Sequence, residues 1–160
     1  MKNPIIVNII SIVLALLTIA LMFVPFWTFA DGEETISASL TDLIWTPSND
    51  KDIQKAIKKE LEIKGDLNLN TPALTVAASL FFAAFSIFSV LKNLKGTGGS
   101  TACLVLGFFN VWGYLRVPML HMNSWWWAYV VIGAILLVLN ISGVIQQIRA
   151  SHQKAVNAYN

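Results

Sequence analysis

The sequence predicts an all-α integral membrane protein, a four-transmembrane-helix bundle with a small extracellular cap. Three observations lead there. Hydrophobic residues make up 56% of the 160 residues, above the roughly 45–50% of a soluble domain. Charged residues supply only 12%, about half the usual share, too few to cover that much apolar surface. The apolar residues also fall in four long blocks instead of being spread along the chain. A mean hydropathy of +0.63 agrees. The length suits a single domain, residues 1–160. The composition excludes a disordered chain, a nucleic-acid binder and a disulfide-rich scaffold.

A helix needs about 20 mostly apolar residues to cross a hydrocarbon core ~30 Å thick, and its backbone polar groups must be satisfied internally. The first block, Ile5 to Trp27, carries no charge, with Asn3 placed to cap it and Pro4 at the first helical position. Its 23 residues exceed the 7–15-residue core of a cleavable signal, and no Ala-x-Ala-like site follows, so it reads as a retained helix. The second block runs from Pro72 to Leu91 with Thr71 as its cap, the third from about Thr101 to Leu120, and the fourth from about Trp125 to Ile148.

Charge sets the orientation. All nine acids lie between Asp31 and Asp66, together with five lysines, whereas Lys2, Lys92, Lys95, Arg149 and Lys154 stand on the other side without any acid. Basic density near the helix ends places both termini and the Lys92–Ser100 loop in the cytoplasm, and loop 28–71 outside the cell membrane. Trp125, Trp126 and Trp127 then form an interfacial belt on the outer side. The Lys95–Ser100 stretch is glycine-rich but lacks a lysine after its glycines and a preceding strand, so it reads as a hairpin with Ser100 capping the next helix, not as a phosphate loop.

The outer loop carries signals of its own. Ser48, Asn49 and Asp50 are helix starters, Gly65 is a terminator, and Ile53, Ile57 and Leu61 recur every four residues. Residues 35–40 and 66–70 alternate with period two, so two short strands can pair around that amphipathic helix, with Trp45 roofing the apolar stripe. The alternative is a mobile loop whose single amphipathic helix lies on the bilayer.

Catalytic patterns are not apparent. The sole cysteine, Cys103, lies in the third block; there is no His-Glu-x-x-His, no Gly-x-Ser-x-Gly and no carboxylate at membrane depth. The chemistry-bearing residues are the polar ones inside the apolar blocks. Asn110, Tyr114 and Arg116 in the third and Asn140 in the fourth are candidate helix–helix or ligand contacts. Interhelical hydrogen bonding is the simpler role, and a ligand or ion path the sharper one. Arg116, about one turn from the outer end, either snorkels to headgroups or pairs with Asp31 or Asp66. Thr75, Ser79, Ala83 and Ser86 form a small-residue stripe suited to close helix approach, while Phe81, Phe85 and Phe88 form a stripe that faces lipid by default.

Trp27 follows the first helix, seventeen residues intervene, and Trp45 stands in Asp42-Leu43-Ile44-Trp45. That spacing, with four helices, a long first outer loop and a tight second one, resembles the claudin-like tetraspan class. Ser48 occupies the position of that family's first loop cysteine, and Ile57, Lys58 and Lys59 fill the window of the second. That family's loop disulfide is therefore absent here, and the resemblance implies the architecture only.

The expectation is a non-enzymatic tetraspan that works by association, as an accessory subunit, scaffold or adhesion-type protein. Its partners would be the lipid bilayer and another membrane protein or a second copy of itself, with no cofactor, metal or nucleic acid. The rival expectation is a small transporter or channel subunit with a polar path lined by Asn110, Tyr114, Arg116 and Asn140. Trp27, Trp45, Ile53, Ile57 and Leu61 are the residues expected to pack the cap.

Overall fold

The structure, a computed structural model, describes residues 3–25, 27–31, 34–45, 55, 58–59 and 68–159. Helix α1 spans Pro4–Phe23. The Asn3 side-chain oxygen accepts the Ile5 N–H at 3.0 Å, filling one of the donors that a helix start leaves free. The helix stops four residues short of the expected Trp27. Val24 is extended (φ −75°, ψ 132°) because Pro25 disfavours a helical residue before it.

Strands β1 (Trp27–Asp31) and β2 (Glu34–Ala38) form an antiparallel hairpin with Trp27 opposite Ala38 and Asp31 opposite Glu34. Segment 35–40 is thus largely a strand as expected, and its partner among the described residues is the chain just before it. Asn68 and Leu69 are not in a strand, and Asn70 already opens a helix. Pairing segments two residues apart in sequence costs far less loop entropy than pairing segments about thirty apart. The short helix α2, Asp42–Trp45, follows. The Asp42 carboxylate accepts from the Ser39 backbone N–H (2.6 Å) and hydroxyl (2.9 Å), and the Thr41 N–H donates to the Met22 carbonyl at the end of α1 (3.2 Å). Lys55, Lys58 and Lys59 are helical. The expected stripe of Ile53, Ile57 and Leu61 lies outside the described residues, as do the side chains of Trp27 and Trp45.

Helix α3 spans Asn70–Lys92. Asn68 Oδ1 accepts from the Asn70 N–H (2.9 Å), whereas Thr71, expected as the cap, sits inside the first turn, where its carbonyl accepts from the Thr75 hydroxyl. The third apolar block is not one continuous α-helix. It is α4 (Ser100–Phe108), a π-helical turn (Phe109–Gly113), the single turn α5 (Tyr114–Arg116) and a 3-10 segment (Pro118–Met122). Val117 is again extended (φ −107°, ψ 96°), ahead of Pro118. Gly99, not Ser100, occupies the cap position of α4, and no side chain bonds to that end. Helix α6, Trp126–Tyr159, continues well past the expected Ile148 because no breaker follows Arg149.

Among the described residues, three helices are long and apolar enough to cross a membrane: α1, α3 and residues Trp126–Asn157 of α6, with mean hydropathies of 2.8, 2.2 and 2.4. α1 lies along α3, and α4 lies along α6 and α3. Buried Ala15, Ala83, Val90, Cys103, Leu106 and Leu136 form one core, towards the Lys92–Ser100 loop. Met22, Leu40, Val76, Tyr114, Leu120 and Tyr129 form the other, beneath the hairpin. The first core marks the loop end of the molecule and the second the hairpin end. Phe81, Phe85 and Phe88 are exposed on the outer face of α3.

Candidate functional site

A seam of buried polar side chains runs through the helices, organised by α1. Asn8, Ser11, Ala15, Thr18 and Met22 occupy one face of that helix, and all are buried. From α6, Asn140 donates its amide to the Ser11 hydroxyl (3.0 Å) and to the Leu136 carbonyl of its own helix (3.0 Å). From the π-helical turn, Asn110 donates to the Thr18 hydroxyl (3.1 Å), which in turn donates to the Leu14 carbonyl (3.0 Å). At the loop end, Asn8 donates both amide protons to backbone, to Leu94 (2.8 Å) and Gly96 (2.9 Å). Each of these three amides joins α1 to another part of the chain.

Close backbone contact sets the depth of the seam. Gly107 of α4 faces Gly133 of α6, where a Cβ on Gly133 would lie 2.7 Å from the Gly107 carbonyl oxygen and 2.9 Å from Asn110 Cβ. Only hydrogen fits there. The π-helical turn that follows carries Asn110 and Gly113, both buried, and Gly113 is held against the Thr75 side chain. Turns of this kind interrupt the α register and re-aim side chains.

Tyr114 stacks on Tyr129 of α6, with ring centroids 4.3 Å apart and planes 12° from parallel, and both residues are fully buried. Neither hydroxyl has a hydrogen-bond partner among the described residues, and neither does the carbonyl oxygen of Asn110 or Asn140. One turn on, Pro118 has no N–H to offer the Tyr114 carbonyl four residues back. His121 fills the gap, with Nε2–H donating to that carbonyl (2.7 Å) while its ring stacks on Trp126 (4.3 Å).

The candidate residues therefore divide. Asn110, Tyr114 and Asn140 are buried in the interior, whereas Arg116 is exposed and lies with its guanidinium 4.5 Å from the Trp112 ring centre. That cation–π contact ends a ribbon of rings across α3 and α4. Phe85 stacks on Phe81, Phe81 meets Phe82 edge-on, and Phe82 stacks on Phe109. Phe109 then meets Phe108 edge-on, and Phe108 stacks on Trp112. The acids proposed as partners of Arg116 lie outside what is described: Asp66 altogether, and Asp31 in its side chain.

Sequence reading missed Asn8, Ser11 and Thr18, although their spacing of three and seven residues in an otherwise apolar helix marks one face. It also missed Tyr129 and the paired Gly107 and Gly133. The carbonyl cap by His121 was foreseeable from Pro118, since a proline frees the carbonyl four residues earlier.

Helices of this length and apolarity define the chain as compatible with a membrane protein. No protein family, curated protein or solved structure matches it.

Proposed function

We propose that the chain is a four-pass membrane protein that works by association, as an accessory subunit, scaffold or adhesion-type protein, with no chemistry of its own. The observation that supports it is the use made of the interior polar groups. Asn8, Asn110 and Asn140 are spent on hydrogen bonds that tie α1 to the loop, to the π-helical turn and to α6. Such bonds hold helices together in lipid, where burying apolar surface drives nothing.

The fourth crossing in this proposal is the segmented stretch from Ser100 to Met122. Seventeen residues of helical backbone to Arg116 rise about 25 Å at 1.5 Å each, and the five-residue 3-10 segment adds about 10 Å. Together they span the hydrocarbon core. Basic residues without acids then put the loop end and both termini in the cytoplasm, and the hairpin outside. The claudin-like spacing of Trp27 and Trp45 belongs to the same proposal, as a likeness of architecture.

A second reading, a small transporter or channel subunit, is favoured by one observation: the unpartnered hydroxyls of Tyr114 and Tyr129 and carbonyl oxygens of Asn110 and Asn140 inside the helices. Two measurements on the whole protein separate the readings. Mild-detergent purification from the native membrane should yield a stoichiometric complex with another membrane protein or with itself. Liposomes holding the protein alone should show no ion or solute flux. A flux lost in the Asn110→Leu variant would move the assignment to transport.

A further inference from the structure

At the loop end, a half-enclosed cavity of about 370 Å³ opens between the start of α1 and the middle of α6. Its polar wall is Asn8 of α1, Lys95 and Ser100 of the glycine-rich segment, and Ser142 and Gln146 of α6. Ser100 is only 3% exposed, and its hydroxyl points at Gly143, which lines the same cavity and where any Cβ would collide with it. That hydroxyl makes no hydrogen bond among the described residues. Asn8, 2% exposed, also lines the cavity and uses its amide nitrogen on the loop backbone. The first turn of α4 starts here with no capping side chain, so its N–H groups add positive potential to a cavity that Lys95 also lines. Every acid in the sequence lies between residues 31 and 66, so the segments around this cavity hold basic residues and no carboxylate.

We propose that this cavity binds a phosphate-bearing anion, the headgroup of an anionic phospholipid, with Lys95 as the charge partner and the Ser100 hydroxyl and the α4 N-terminus as donors. The polarity of the walls supports a lipid source. Pro4, Val7 and Leu139 supply the apolar lining beside the polar side chains, and along α6 the wall passes from Leu139 to Ser142 and Gln146. An amphipathic ligand matches that mixed lining, with its phosphate among the donors and its chains against Val7 and Leu139. Basic pockets between helices on the cytoplasmic side suit such headgroups. The proposal depends on the helices crossing a bilayer, and it stands whether or not the protein acts by association.

The test uses the full chain in neutral detergent, with native mass spectrometry counting bound lipid after addition of phosphatidylglycerol or phosphatidylcholine. Phosphatidylglycerol should be retained in preference to phosphatidylcholine. Lys95→Gln, at an exposed position that spares the fold, should weaken retention by about fivefold, the effect of one basic group near an anion. Lys154→Gln, which removes a like charge near the end of α6, should change it less than about twofold. Ser100→Ala should weaken retention while leaving thermal stability unchanged. If millimolar inorganic phosphate displaces the lipid completely, the site is a phosphate site whose natural ligand is the free ion. Equal retention of the two lipids, or equal losses in Lys95→Gln and Lys154→Gln, would overturn the proposal.

Discussion

The two ends of the molecule are held together by different means. At the loop end and mid-helix, contacts are made by backbone and small side chains: Gly107 on Gly133, Gly143 on Ser100, and the Asn8 amide on two loop carbonyls. Gln147 adds to this by donating its amide to the Thr97 carbonyl while accepting from the Thr101 hydroxyl. At the hairpin end, large side chains fill the space: Met22, Leu40, Tyr114, Leu120 and Tyr129. The helices there are also broken, at Val24 and at Val117, and side chains or loop amides take up the freed carbonyls. The difference teaches that close backbone approach holds uninterrupted helices, whereas an interrupted end depends on ring packing and local hydrogen bonds.

That contrast can be broken in graded steps, each read as a shift in unfolding free energy of the detergent-solubilised protein. Tyr114→Ala should cost most, about 3–5 kcal/mol, because it empties a fully buried ring site. Gly133→Ala should follow at about 1–3 kcal/mol, since its Cβ meets the Gly107 carbonyl, an atom that cannot step aside. Asn8→Ala strands two loop carbonyls and should cost about 1–3 kcal/mol. It should also speed hydrogen exchange in residues 92–100 while sparing the hairpin. Asn110→Ala and Asn140→Ala should each cost only about 0.6 kcal/mol, the mean for a hydrogen bond between membrane helices. Tyr114→Phe keeps the ring and removes a hydroxyl without a partner, so it should fall within ~0.5 kcal/mol of the parent. A loss for Tyr114→Phe as large as that for Tyr114→Ala would show that the hydroxyl, not the ring, holds the hairpin end.

The apolar spans were legible in the sequence because hydropathy measures what a helix in lipid requires. Their ends were less so. The run Val24–Trp27 stays apolar after the helix has stopped, and so does Val117–Leu120. In both places the signal lay in the proline, Pro25 or Pro118, which pushes the residue before it out of the helical region. The strand at residues 34–38 was visible from its period, but its partner was not, because alternation fixes faces and not pairing. Asn110 and Asn140 stood out as polar residues in apolar surroundings. Their acceptors, Ser11 and Thr18, were readable only by seeing that α1 carries one polar face. Nothing in Phe109–Gly113 announces a π-helical turn, whose register follows from packing against α3 and α6.

The central claim is that the segmented stretch between α3 and α6 crosses the membrane a fourth time, and cysteine accessibility tests it most directly. In a Cys103→Ala background, single cysteines would be placed at Lys95 and Ser124, exposed positions on either side of that stretch. A membrane-impermeant maleimide applied to intact cells should label Ser124→Cys at once and Lys95→Cys only after permeabilisation. Labelling of both from the same side would contradict the fourth crossing.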